Sequence, residues 1–148
     1  MSSVQSRRRH GAIAVGLAVI LLLGGCAKSV QVRLVTAAQV NPGIRATALP
    51  VVVKLYQLSD DDLFRQASFR ELWQQDKVVL GNTLLATKSV TLLPDNQKDL
   101  RIARHPQAQY FAAVALFRQP DGQQWRVIQP ITGRVQLALV DNQLQVLP

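Results

Sequence analysis

The stretch Pro50-Val51-Val52-Val53-Lys54-Leu55-Tyr56-Gln57-Leu58 decides the architecture. Its residues are mostly β-branched, apolar or aromatic, the composition of a pleated, buried surface. Side chains alternate across a strand, so Val51, Val53 and Leu55 share one face while Val52, Lys54 and Tyr56 share the other. Apolar groups on both faces predict a well-buried strand. Upstream, Val30, Val32 and Leu34 alternate with Gln31 and Arg33, the period of two that marks a half-buried strand. Between the two strands, Ala37 to Leu49 holds Asn41-Pro42-Gly43. Proline presets φ and glycine permits positive φ, so a loop is expected there, rimmed by Val40 and Ile44.

Beyond Ser59 the pattern becomes helical. Asp60-Asp61-Asp62 precedes Leu63, Phe64 and Ala67, and Ser68-Phe69-Arg70-Glu71 is a capping-box sequence, the Ser oxygen and Glu carboxylate each satisfying a backbone donor of the other. Phe69, Leu72 and Trp73 fall at i, i+3 and i+4, so a helical insert around 60–76 is expected to lay an apolar stripe on a sheet. The three aspartates are read as a solvated helix start favoured by the macrodipole, because they do not recur at the spacing of a calcium loop and no later Glu completes one. After a turn at Gly81-Asn82, strands are expected over Leu84 to Leu93, around Leu100 and Ile102, over Tyr110 to Phe117, over Trp125 to Ile128, over Arg134 to Val140 and around Leu144 and Val146. Short strands at this spacing, seven or eight with one small helical insertion, argue for an all-β domain built as a two-sheet β-sandwich.

The chain begins differently. Arg7-Arg8-Arg9, the apolar run Ala12 to Leu23 and the small residues before Cys26 follow in secretory order. The run is about 12 residues against the roughly 20 of a membrane-spanning helix, so cleavage is expected. Leu23-Gly24-Gly25-Cys26 resembles the bacterial lipobox, in which a diacylglyceryl group is placed on the thiol and cleavage frees the Cys amine for a further acyl chain. Each buried methylene contributes about 0.8 kcal/mol and one chain binds only reversibly, so two or three chains make a durable anchor. Residues 1–25 are thus read as a lipoprotein signal peptide, 26–29 as the lipidated cysteine with a short tether, and 30–148 as one domain. Such a tether, about four residues, reaches only some 13 to 14 Å. Arg7-Arg8 is not read as a twin-arginine signal, because His10 stands where that signal prefers an apolar residue. Ala27 follows the cysteine, where many lipoproteins retained at the inner membrane carry Asp, and this resemblance points to the inner leaflet of the outer membrane.

The chain has 17 basic and 9 acidic residues, a formal charge of +8; setting aside Arg7, Arg8 and Arg9 leaves 14 against 9, or +5. The excess forms no basic run and does not interleave with aromatics, so nucleic acid is not implied. With Cys26 taken by lipid no thiol remains, and His105, in a turn beside Pro106, is the lone histidine after the signal. No Gly-x-Ser-x-Gly elbow, phosphate-binding glycine loop or recurring pair of metal ligands is present. No catalysis, metal or cofactor is therefore expected beyond the covalent lipid. Trp73 and Trp125 sit in apolar patterns and are read as core. Their alternative is a shelf for a small ligand or envelope glycan, which would make the protein a periplasmic binding module.

Asn41-Pro42, Leu49 to Leu58, Phe64, Ala67-Ser68-Phe69, Leu72, Leu80-Gly81, Val90 to Pro94, Ala112 to Phe117 and Trp125-Arg126 occur beneath a lipobox in an order that carries a family resemblance. Over roughly Asn41 to Arg126 the chain resembles the TssJ (SciN, VasD) lipoproteins of the bacterial type VI secretion system. The resemblance implies a transthyretin-like sandwich with a helical excursion, held at the periplasmic face of the outer membrane. It also implies a structural, non-enzymatic part, in which the loop between the first two strands docks on the periplasmic C-terminal region of TssM. TssM is the large inner-membrane protein that, with TssL, completes the trans-envelope complex. Val40, Asn41, Pro42, Gly43, Ile44 and Arg45 are the corresponding partner-binding candidates. The residues alone allow each position either a partner contact or packing of the loop on its own sandwich. Cys26→Ser should abolish secretion and move the protein to the soluble fraction once membranes are washed at high salt; fractionation that finds it still membrane-bound after that wash would remove Cys26 as the anchor.

Overall fold

The computed structural model describes residues 28–148, so the signal segment, Cys26 and the start of the tether lie outside the described residues. The chain runs β1 (Ser29–Val40), β2 (Val51–Leu58), α1 (Asp62–Gln66), α2 (Phe69–Gln74), α3 (Asp76–Leu80), a 3-10 turn at Gly81–Thr83, β3 (Leu84–Leu92), β4 (Asn96–Ala103), β5 (Tyr110–Ala115), β6 (Arg126–Pro130), β7 (Arg134–Asp141) and β8 (Gln143–Val146). The strands form two four-stranded sheets, ordered β4-β1-β7-β8 and β3-β2-β5-β6. β1 and β7 run parallel, and the other strand pairs are antiparallel.

Val30, Val32 and Leu34 of β1 bury with Val135, Leu137 and Leu139 of β7 against Val51, Val53 and Leu55 of β2 and Phe111, Ala113 and Ala115 of β5. The first sheet leaves its other face to solvent, which is why β1 alternates between buried and exposed positions over most of its length. The second sheet is covered on both faces, because the helices lie on its outer side. That third layer explains why β2 is buried without alternation from Leu55 to Leu58, and β5 from Phe111 to Ala115.

The helices are five or six residues long and cannot satisfy their own terminal carbonyls. Two cations on the sheet do so. Lys54 Nζ donates to Trp73 O at 2.9 Å, Leu72 O at 3.3 Å and Asp76 Oδ2 at 3.0 Å, and Tyr56 OH donates to the same carboxylate oxygen at 3.1 Å. The Arg126 guanidinium donates to Phe64 O, Ala67 O and Arg65 O at 2.8, 2.7 and 2.9 Å, and lies 4.8 Å from the Trp125 ring centroid. The capping box expected at Ser68 is present, Ser68 N donating to Glu71 Oε2 at 2.7 Å and Glu71 N to Ser68 Oγ at 3.3 Å.

Three expectations change. The helical insert extends past 76 through Leu80 and the 3-10 turn to Thr83, an extension the sequence hides because Val78 and Val79 carry no helical signature; Asp76 lies in the first turn of α3, where a carboxylate is favoured by the helix dipole. Ala37 to Val40 belong to β1 and not to the loop: a register shift between Thr36 and Val40 lets the strand continue until Val40 faces Asp141, a break that hides the alternation. Trp73 is 51% exposed, although Leu72 beside it is fully buried.

Burial opposes ionisation of Asp76, but the hydrogen bonds from Lys54 and Tyr56 and the Lys54 charge outweigh it and hold the carboxyl below its ordinary value. Its contribution to stability is therefore complete above about pH 5 and lost as pH falls through the folded-state value. Urea titrations at pH 7 and pH 3 should show the loss, and Asp76→Asn should shrink the difference. Lys54→Met, which leaves two carbonyls without their donor and the Asp76 carboxylate without its counter-charge, should cost about 2–3 kcal/mol at pH 7.

Candidate functional site

The connection between β1 and β2 is a braced finger. Val40 ends β1 inside the core, and Asn41 then turns the chain at φ 48°, a left-handed conformation that Asn tolerates better than most residues. Asn41 is itself buried. Its Nδ2 donates to Pro50 O at 2.8 Å, its Oδ1 accepts from Arg118 N at 2.8 Å, and its backbone N donates to Asp141 O at 2.7 Å. One side chain thus ties the start of the loop to its end and to the connection that follows β5. Further out, Gly43 N donates to Thr47 O at 2.8 Å, Ala46 N to Gly43 O at 3.0 Å and Leu49 N to Val40 O at 3.2 Å, with an isolated bridge between Pro42 and Ala48. Gly43 sits tight against the finger's far limb: a Cβ there would stand 3.0 Å from Leu49 Cδ1. The tip carries Ile44, 88% exposed, and Arg45, also exposed.

Three other connections meet at this end. The turn after β3 is held by Thr36 Oγ1, which donates to Leu93 O at 2.6 Å, and by Asp95 N, which donates to Ala37 O. The β7–β8 turn touches Asn41 through Asp141, and the segment from β5 to β6 touches it through Arg118. Ile44, Leu93 and Val140 are exposed on these connections, as are Arg45 and Arg118. The chain enters the domain at the opposite end, where Ser29 faces Ala103. The 12 residues of β1 separate the two ends by about 36 Å at some 3.3 Å per residue.

The six loop candidates therefore divide. Val40 and Asn41 lie inside and shape the finger, Pro42 and Gly43 are half-buried in its stem, and Ile44 and Arg45 face outward. Leu93, Val140 and Arg118 escaped sequence reasoning, since nothing local marks them and only the topology gathers them. The two tryptophans differ in burial. Trp125 is buried edge-on to Phe69 at 5.1 Å and donates its Nε1–H to Gly122 O, while Trp73 is exposed and lies tilted against Phe69 at 6.3 Å. His105 organises a turn: its N donates to Gln57 Oε1 at 2.8 Å and its Nδ1 accepts from Gln107 N at 3.2 Å. The Asp60, Asp61 and Asp62 carboxylates lie within 4.8 Å of one another; Asp60 accepts from Asp62 N at 2.9 Å and Asp61 pairs with Arg65 at 2.6 Å.

Residues 28–147 match the family described as "Type VI secretion lipoprotein, VasD, EvfM, TssJ, VC_A0113". The chain belongs to this family. Solved structures with the same fold include the T6SS lipoprotein TssJ1 from Pseudomonas aeruginosa, with a TM-score of 0.76 and 22% identity over 82% of this chain and 95% of that one. A chain of the structure described as the T6SS protein TssM C-terminal domain (869-1107) from EAEC matches with a TM-score of 0.74 and 23% identity over 82% and 98%. A chain of a structure described as a type VI membrane complex matches with a TM-score of 0.74 and 26% identity over 82% and 98%. No curated protein gives a significant match. The transthyretin-like sandwich with a helical excursion expected of the family is the fold observed, a two-layer β-sandwich with its helices on one sheet.

Within this family fold the finger should be separable into brace and tip. Asn41→Ala, which leaves Pro50 O and Arg118 N unpaired and puts Ala at positive φ, should cost about 2–4 kcal/mol in chemical denaturation. Ile44→Ser should change stability by less than about 0.5 kcal/mol.

Proposed function

We infer that this lipoprotein is the non-enzymatic outer-membrane anchor of a type VI secretion membrane complex. Lipid on Cys26 holds it to the periplasmic face of the outer membrane. The β1–β2 finger docks on the periplasmic C-terminal region of a TssM-like inner-membrane protein, and through it on a TssL-like one. The observation that carries this reading is the placement of the finger. It projects a nearly fully exposed Ile44 and an exposed Arg45 from the end of the sandwich opposite to the one where the chain comes from Cys26. A partner spanning from the other membrane meets that end first. An apolar tip beside a cation, set on a rigid stem, has the make-up of a small interface that loses little conformational entropy on binding. A chain with this fold in the structure described as the TssM C-terminal domain supports the choice of partner.

The finger carries the contact if Ile44→Asp with Arg45→Glu lowers affinity for the TssM C-terminal region at least tenfold in calorimetry while the melting temperature stays put. Undiminished affinity in that variant would move the interface elsewhere on the domain.

A further inference from the structure

We propose that the solvent-facing side of the β4-β1-β7 sheet, at the end where the chain enters, binds the phosphate headgroup of an anionic phospholipid. Gln31 of β1 pairs with Arg101 of β4 on one side and with Arg134 of β7 on the other. Residues directly opposite in a sheet share a face, and adjacent strands lie about 4.8 Å apart, so the two arginines bracket Gln31 at a Cα separation of roughly 10 Å. Arg101 Nε donates to Ser29 Oγ at 3.1 Å, which places its guanidinium at the point where the chain enters. Lys28 and Arg104 adjoin the same point, Arg104 N donating to Lys28 O at 2.8 Å.

The next row along the sheet is neutral. Arg33 Nε donates to Asp99 Oδ1 at 2.7 Å, and Asp99 is the one carboxylate that the register places on this face of the three strands. Among the described residues neither Arg101 nor Arg134 forms an ion pair with a carboxylate. A groove of about 330 Å³ runs between these rows, lined by Gln31, Arg33, Asp99, Arg101, Arg134 and Gln136. Two guanidinium forks flanking an amide donor suit a phosphodiester, which Arg recognises by paired N–H bonds.

The choice of a lipid headgroup over a free phosphate rests on position, and on the lipidated-Cys26 reading above. Ser29 lies three residues beyond Cys26, within roughly 10 Å of chain, so a leaflet that holds the lipid brings its headgroups to this groove. Cations near an anionic surface are attracted over about a Debye length.

The test uses the mature chain with Cys26→Ser, so that neither lipidation nor the TssM contact enters the result, and failure here leaves the anchoring reading to its own fractionation test. Co-sedimentation with vesicles of phosphatidylcholine containing about one-third phosphatidylglycerol should exceed that with phosphatidylcholine alone at least tenfold. Arg101→Gln with Arg134→Gln should lower it at least fivefold, and Arg70→Gln with Lys77→Gln, an equal charge loss on the helices, should not. Equal binding to both vesicles, an unaffected arginine pair, or equal loss in both double variants would overturn the proposal. So would saturable binding of inorganic phosphate with no preference for anionic vesicles, which would assign the groove to a free anion.

Discussion

The two sheets are riveted by one buried amide at each end, Asn41 and Gln57, and the outward-facing surface depends on the Asn41 rivet. Apolar side chains alone would let two sheets settle in several relative positions, because dispersion and area burial have little direction. A buried amide has direction, and leaving it unpaired is costly. Asn41 joins the end of β1 to Pro50 O, ahead of β2, and to Arg118 N in the other sheet's connection. Gln57 does the same at the far end, reaching from β2 to Ala103 O and accepting from His105 N. Thr36, the third buried polar residue, fixes the β3–β4 turn. The side-chain polar atoms of these three residues are thus spent on connections, and the finger inherits its rigidity from them.

The helical layer obeys the opposite logic. Helices of five or six residues are too short to persist alone. Lys54 and Arg126, which would otherwise be awkward cations on a covered sheet face, become the caps that make the layer possible. Their apolar counterparts, Tyr56 against Phe64 at 6.0 Å and the buried Leu72 and Leu80, complete the seal.

The sequence carried the strands wherever alternation or a double-faced apolar run was clean, as in Val30 to Leu34, Val51 to Leu58 and Arg134 to Val140. It carried the capping box at Ser68 because that device is local. Legibility failed where a side chain's role was decided across the sandwich. Ala37-Ala38-Gln39 offers no period of two, so only pairing with the neighbouring strands shows that β1 persists to Val40. Asn41 read as a turn former, and its second role as a rivet depends on a backbone group 77 residues away. Trp73 read as core because its spacing matched Leu72 and Phe69, but helices this short expose one side of the stripe. Of the outward cluster at the finger's end only Ile44 and Arg45 were visible, since Leu93, Val140 and Arg118 come from separate turns.

β1 is an interior strand, paired along one side with β4 and along the other with β7. Its first residue adjoins the tether and its last leads directly into the finger. Tension between a lipid at one end and a gripped fingertip at the other would run along the axis of this one strand. The ladders on both flanks then resist in shear, many bonds at once, whereas an edge strand pulled sideways would unzip bond by bond. The topology thus makes β1 a stiff spar under such a load, with its weakest points at the two places where the chain leaves it.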